Sequence, residues 1–307
     1  MTSSGGARPA RVQIVEVSPR DGLQNEAQAL ATDAKLDLIG RVVAAGARRV
    51  EVTGFARPDV VPALADADSV AAAMPADGVE YSALVLNGRG YDRAVTAGIR
   101  AVSMVVLCTE TFSRRNQRMS VAESVEATRV LRERSAADGV TFSVTVAASF
   151  GCPFEGEVPL TRLREVVGRI ADLGPDELSL ADTIGVGTPG DVAERFGLAR
   201  ELAPGVPLRA HFHDTRNTGV ANAVAAVHAG VEALDASLGG IGGCPFAPAA
   251  TGNVATEDVV YCLERMGIET GLDLGVLIGD SRWLTTELGR PASSGLARAG
   301  AFPQDGR

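Results

Sequence analysis

Short runs of β-branched and apolar residues recur along the chain, separated by longer stretches whose apolar positions repeat every three or four residues. The runs are RVQIVEV (11–17), RRVEVT (48–53), VEYSALV (79–85), RAVSMVV (100–106), TFSVTVAAS (141–149), ELSLAD (177–182), LRAHFH (208–213) and VEALDAS (231–237). Between them, KLDLIGRVVAAGA (35–47), AESVEATRVLRERSAAD (122–138) and LTRLREVVGRIADLG (160–174) carry helical spacing, and glycine marks their ends as it does at helix C-termini. Ser120 and Glu123 have the spacing of a capping box opening the helix after the fourth run. About eight strand–helix units in about 250 residues predict an α/β fold, a (β/α)8 TIM barrel with a short C-terminal extension. The competing architecture is an open doubly wound sheet, but no GxGxxG follows the first strand. The expected boundaries are a flexible N-terminus over 1–10, a single barrel domain over 11–290, and a disordered tail over 291–307.

Composition narrows the function. The chain has 307 residues, 46% of them hydrophobic, which allows a sizeable core. A formal net charge of −9 and the lack of a long basic stripe argue against a nucleic-acid partner. No apolar run approaches the ~20 residues that a membrane helix needs. The opening MTSSGGARPA lacks the apolar core of a secretory signal, so a cytoplasmic protein with no membrane partner is expected. The four cysteines, Cys108, Cys152, Cys244 and Cys262, form no CxxC pair, which disfavours structural zinc and a disulfide framework. Lys35 is the only lysine and falls in a helical stretch. Schiff-base chemistry needs a lysine in the site, so carbon–carbon bond chemistry here is expected to use a metal.

In a TIM barrel the C-terminal ends of the strands carry the chemistry. Polar residues gather at those ends: Arg20, Asp21, Gln24, Asn25 and Glu26 in SPRDGLQNE, Glu51 after the second run, Asp182 in SLADTIGVGTPG, His211, His213 and Asp214 in HFHDT, then Cys244 and Asn253. His211 and His213 are two apart on a strand, so both imidazoles face one side. Two histidines with a carboxylate make a metal site, and an N/O ligand set without paired thiolates suits Mg²⁺ or Mn²⁺. Glu51 and Asp182 fit equally as catalytic groups or as acceptors that orient Arg20 or the ligand. Arg114, Arg115 and Arg118, in the loop expected after the fourth strand, are either solvated surface or a grip for a phosphate-bearing ligand. Asn116 beside them, with Arg20 and Gln24, is a substrate-binding candidate.

On the motifs VSPRDGLQNE, SLADTIGVGTPG, HFHDT and GGIGGCPFAPAATGNVATED, the chain resembles the hydroxymethylglutaryl-CoA lyases, within the metal-dependent lyase and Claisen synthase superfamily, from about residue 12 to residue 275. The resemblance implies that Asp21, His211, His213 and Asn253 hold a divalent metal. It implies that Arg20 polarises a thioester carbonyl and that Cys244 is a catalytic cysteine on a glycine-rich loop. Glu51 and Asp182 match acidic residues lining the site, with Asp21 and His211 as further candidates for proton work. The implied substrate is an acyl-CoA thioester and the expected assembly a homodimer. The implied reaction is retro-Claisen cleavage of 3-hydroxy-3-methylglutaryl-CoA or a close homologue to acetyl-CoA and a keto acid. A Claisen-type synthase or a metal-dependent aldolase acting on a 2-keto acid is the alternative. Thr145 stands where many members carry tyrosine, Phe246 follows the cysteine motif in place of tyrosine, and RNTG follows HFHDT. These departures leave the ligand set intact and bear on the acyl group.

Overall fold

The computed structural model describes residues 9–243 and 252–303. Among them the strands are β1 (Gln13–Glu16), β2 (Arg49–Gly54), β3 (Glu80–Leu84), β4 (Ala101–Leu107), β5 (Thr141–Ala147), β6 (Gly151–Cys152), β7 (Gly156–Glu157), β8 (Glu177–Asp182), β9 (Leu208–Phe212) and β10 (Ala233–Ala236). Eight of these close a barrel in the order β1-β10-β9-β8-β5-β4-β3-β2, every pairing parallel. The remaining two, β6 and β7, form a small antiparallel hairpin in the loop after β5. The TIM barrel expected from the sequence is the observed fold.

Successive side chains on a strand point to opposite faces, and here the two faces differ in kind. On β5, Phe142, Val144 and Val146 are fully buried and face the helix layer. That layer meets them with apolar stripes such as Leu163, Val166, Val167 and Ile170 of the helix Leu160–Ala171. Burying each such side chain stabilises the fold by about 1.5–3 kcal/mol before entropy is counted. The inward face is polar instead. Arg49 on β2 bonds Glu177 on β8 at 2.7 and 3.0 Å, and those strands lie on opposite walls, so the contact crosses the barrel interior. Ser103 on β4 reaches past β3 to Glu51 on β2, at 2.6 Å. Barrel interiors are commonly filled by branched apolar residues; this one carries charge from floor to mouth.

The capping box forms, with Ser120 accepting from the Glu123 N–H and Glu123 accepting from the Ser120 N–H, and the helix Val121–Asp138 ends at Gly139 in the left-handed region. Two segments differ from expectation. Residues after β4 form a helix, Glu110–Gln117, not a loop. Part of the segment expected to be a disordered tail folds back on the barrel's last helices. Asp258 accepts from the Gly295 and Leu296 N–H groups at 2.8 Å each, Ser294 caps Ala297, and a short helix, Gly295–Ala299, results.

Candidate active site at the barrel mouth

The first strand ends in a tight turn that builds half of the site. Over Ser18–Gly22 the backbone winds as a π-helical turn, with the Gly22 N–H donating to Val17 O, five residues back, at 3.1 Å. Such turns are rare and concentrate at functional sites. A Cβ on Gly22 would stand 2.7 Å from Ile241 Cγ1 and 2.8 Å from Ser237 Oγ, so only glycine lets the turn pack there. Glu16 anchors it from beneath, accepting from Ser18 N at 2.9 Å, Leu238 N at 3.0 Å and Thr256 Oγ1 at 2.7 Å. Burial pushes the Glu16 carboxyl above its ordinary range, against those hydrogen bonds.

The turn sets Arg20 and Asp21 over the mouth. Arg20 donates to Glu51 Oε2 from Nε at 2.6 Å and to Asp21 Oδ1 at 2.6 Å. The fork leaves the guanidinium fixed between two carboxylates. Burial pushes the Asp21 carboxyl up, but Arg20, His211 and His213 outweigh it and hold the group well below the usual carboxylate range. One ligand atom each of Asp21, His211 and His213 lies within 4.8 Å of the others. Asn253 joins them through an antiparallel bridge to His213 and donates from Nδ2 to Asp21 Oδ2 at 2.9 Å. Its Oδ1 is buried with no hydrogen-bond partner. An orphaned amide oxygen beside a carboxylate and two imidazoles is the donor set a divalent cation needs, so these residues fit the implied metal.

His211 has a partner that the sequence reading passed over. Its Nδ1 lies 3.0 Å from Asp235 Oδ2, and the two residues stand in register on β9 and β10. A carboxylate on Nδ1 fixes the tautomer and leaves Nε2, 3.9 Å from Asp21 Oδ2, to face the site. Burial pushes the His211 pKa down, but the hydrogen bond to Asp235 and the charge of Asp21 carry it above its ordinary value. Glu16 was also missed, although both acids lie inside runs recognised as strands.

The other candidates separate. Glu51 is at the site, with Ser103 on one oxygen and Arg20 on the other. Asp182 stands in register with Phe212, on the strand face opposite to the histidines. Its Oδ1 accepts from Val186 N at 3.0 Å and its Oδ2 from Gly187 N at 2.8 Å, so the carboxylate is committed to shaping the loop after β8. Gln24 follows the π-turn and is half-buried, while Asn116 is exposed on the helix Glu110–Gln117. Arg115 on that helix stacks over the Phe154 ring at 4.3 Å. Lys35 pairs with Asp66 at 2.6 Å and donates to Ala63 O at 2.6 Å, so its ammonium is committed to the segment after β2. Cys244 and Phe246 lie outside the described residues. The described cysteines, Cys108, Cys152 and Cys262, are free thiols, and burial pushes that of Cys108 up to about 12.

Comparison with known proteins places these observations. The family model described as HMGL-like matches residues 11–282. The chain is 42% identical over 305 residues to an (R)-citramalyl-CoA lyase of Chloroflexus aurantiacus, covering 95% of this chain and 96% of that protein. It is likewise 42% identical over 292 residues to a hydroxymethylglutaryl-CoA lyase of Pseudomonas mevalonii, covering 94% and 97%. Among solved structures it superposes with a TM-score of 0.92 at 37% identity on an HMG-CoA lyase from Acinetobacter baumannii in complex with coenzyme A and 3-methylmalate, covering 100% of this chain and 99% of that one.

Proposed function

The chain belongs to the HMGL-like family and is a carbon–carbon lyase; on that premise we propose that it cleaves 3-hydroxy-3-methylglutaryl-CoA, or a close 3-hydroxyacyl-CoA homologue, to acetyl-CoA and acetoacetate or a homologous keto acid. The observation that carries this reading is the joining of Arg20 to the Asp21, His211 and His213 cluster within one mouth, 2.6 Å separating Arg20 from Asp21. A cation held by Asp21, His211, His213 and Asn253, Mg²⁺ or Mn²⁺ by its donor set, supplies Lewis-acid polarisation of substrate oxygens.

The residues of the chain do the rest. Asp21 takes the proton of the C3 hydroxyl. The C2–C3 bond breaks, C3 becomes the ketone carbon, and the bonding pair passes into the thioester as an enolate. Arg20 faces that developing charge, and Glu51 holds its guanidinium in place beforehand, where a preorganised cation helps most. A proton returned to C2 releases acetyl-CoA, and the family resemblance gives Cys244 a part in this proton transfer.

A second reading, cleavage of citramalyl-CoA to acetyl-CoA and pyruvate, is favoured by the citramalyl-CoA lyase relative. The two substrates differ by one methylene between carbinol carbon and carboxylate. Val105 and Thr145, in register on β4 and β5 and both partly exposed, are the wall positions that would meet that difference. The test offers metal-loaded protein both thioesters and larger 3-hydroxy analogues, and follows acetyl-CoA, acetoacetate and pyruvate before and after chelation. Chelator-sensitive acetoacetate release supports the first reading. A higher kcat/KM with pyruvate release supports the second, and chelator-insensitive cleavage refutes both.

A further inference from the structure

Below the mouth, charged side chains form a continuous ladder along the barrel axis, buried in its upper part. It begins at Glu80 near the N-terminal ends of the strands, 2.6 Å from Arg49. Arg49 bonds Glu177 at 2.7 Å, Glu177 pairs with Arg209 at 3.2 Å, and Arg209 Nε stands 3.4 Å from Asp235 Oδ1. The other Asp235 oxygen meets His211 Nδ1 at 3.0 Å. The Arg209, Glu177 and Asp235 side chains are 5%, 9% and 7% exposed, so the upper rungs are out of water.

Stability alone is a weak reason for such an arrangement. Desolvating buried ions costs several kcal/mol each, and apolar residues of similar volume often serve a core as well or better. The position of the ladder is more telling. Its top rung is the carboxylate that sets the His211 ring, and Arg209 is the arginine paired with that carboxylate. The 3.4 Å contact is an ion pair without a hydrogen bond, since both Arg209 Nε and Asp235 Oδ1 lack hydrogen-bond partners. Arg209 therefore acts on Asp235 through charge and leaves its Oδ2 to His211. Removing that charge takes away the cation paired with a buried carboxylate, which then relieves its desolvation by moving away from His211.

We propose that Arg209 is a positioning residue for the cation site: it holds the Asp235 carboxylate in the His211-facing arrangement that aims Nε2 at Asp21. This rests on the metal-site reading above. The experiment measures Mn²⁺ affinity of the full chain by electron paramagnetic resonance, with melting of the metal-free protein recorded alongside. Arg209→Met should weaken Mn²⁺ binding by about 10–100-fold, the range for losing a group that orients a metal ligand. Arg209→Lys, which keeps the charge without the fork, should bring affinity back to within about threefold of wild type. Arg49→Met removes a rung that does not touch Asp235, so it should lower the melting temperature yet leave affinity within about twofold.

Wild-type affinity in folded Arg209→Met overturns the proposal. So does an Arg209→Lys variant as weak as Arg209→Met, or an equal loss in Arg49→Met, which marks a merely structural effect. If Arg209→Met does not fold, Arg209→Gln takes its place, with at least about tenfold weaker binding expected and wild-type binding again overturning the proposal. Wild-type protein that binds no Mn²⁺ refutes the metal reading itself, a result separable from every variant outcome.

Discussion

Replacing Gly252 with alanine adds one methyl group where the backbone leaves no room for it. A Cβ there would stand 2.1 Å from Gly240 O, 2.5 Å from Gly242 O and 2.8 Å from the Ile241 carbonyl carbon. All three are main-chain atoms, so no side chain can swing aside. Restoring ordinary contact requires one of the two strands of backbone to retreat by about 1 Å, and overpacking of this kind costs about 1–3 kcal/mol. The retreat falls on the site. Gly252 precedes Asn253, which bonds Asp21 Oδ2 at 2.9 Å and Ile241 O at 3.2 Å, and Gly252 O accepts from Asp214 N at 3.1 Å just past His213. A ligand moved by about 1 Å can cost about a hundredfold in rate. Gly252→Ala should therefore melt a few degrees lower, bind Mn²⁺ at least about tenfold more weakly and lose about a hundredfold in kcat. The control is Gly168→Ala, inside the helix Leu160–Ala171, where an added Cβ meets nothing within 4 Å. That change should stabilise the protein by about 0.5–1 kcal/mol with kcat untouched. Calorimetry, Mn²⁺ titration and steady-state acetyl-CoA release measure the three quantities. Wild-type metal affinity and kcat in Gly252→Ala would refute the reasoning, because the steric conflict is independent of any assigned role.

Arg20→Met should lose about 10²–10³ in kcat, the cost of removing a preorganised donor at developing negative charge, and a loss below tenfold in steady-state assays would sink its polarising role. Cys244→Ala should lose at least about a hundredfold in kcat with metal affinity little changed, so wild-type turnover there would remove the thiol from the proton transfer. The acid limb of stability should depend on Glu177. Burial pushes its carboxyl up, but Arg209 and Arg49 outweigh it and hold it below the ordinary value of 4.5. A carboxylate depressed in the folded state stabilises fully above its unfolded pKa, and that contribution drains away as pH falls through the folded value. The gap in melting temperature between wild type and Glu177→Gln should thus be widest above pH 4.5 and close below it; a gap constant from about pH 7 to about pH 3 would show that Glu177 is not the linked group.

What was legible in the sequence was local. Period-two runs separated by helical stretches are properties of contiguous residues, and they sufficed for eight strands and a closed barrel. The same holds for His211 and His213, whose spacing puts both on one face, and for Arg20 and Asp21, which follow directly on β1. For Asp182 the signal for its strand face was present. Counting by twos from Glu177 puts Ser179 and Ala181 inward and Asp182 on the other face with Phe212, where loop N–H groups take both its oxygens. Asp235 is different in kind. Nothing within ALDA says that its acid meets a histidine, because that meeting depends on the register between β9 and β10, which only the closed barrel sets. The polar interior follows the same rule: Arg49, Glu177 and Arg209 are scattered in sequence and become partners only when β8 pairs with β9 and the opposite wall at β2 approaches. Yet once the closure is known, the ladder and the mouth read as one structure. A histidine held from below by a buried carboxylate needs a buried cation beneath that carboxylate, and each further rung answers the charge of the one above. An apolar barrel interior could carry the same strands, but it would leave His211 without the carboxylate that orients its ring.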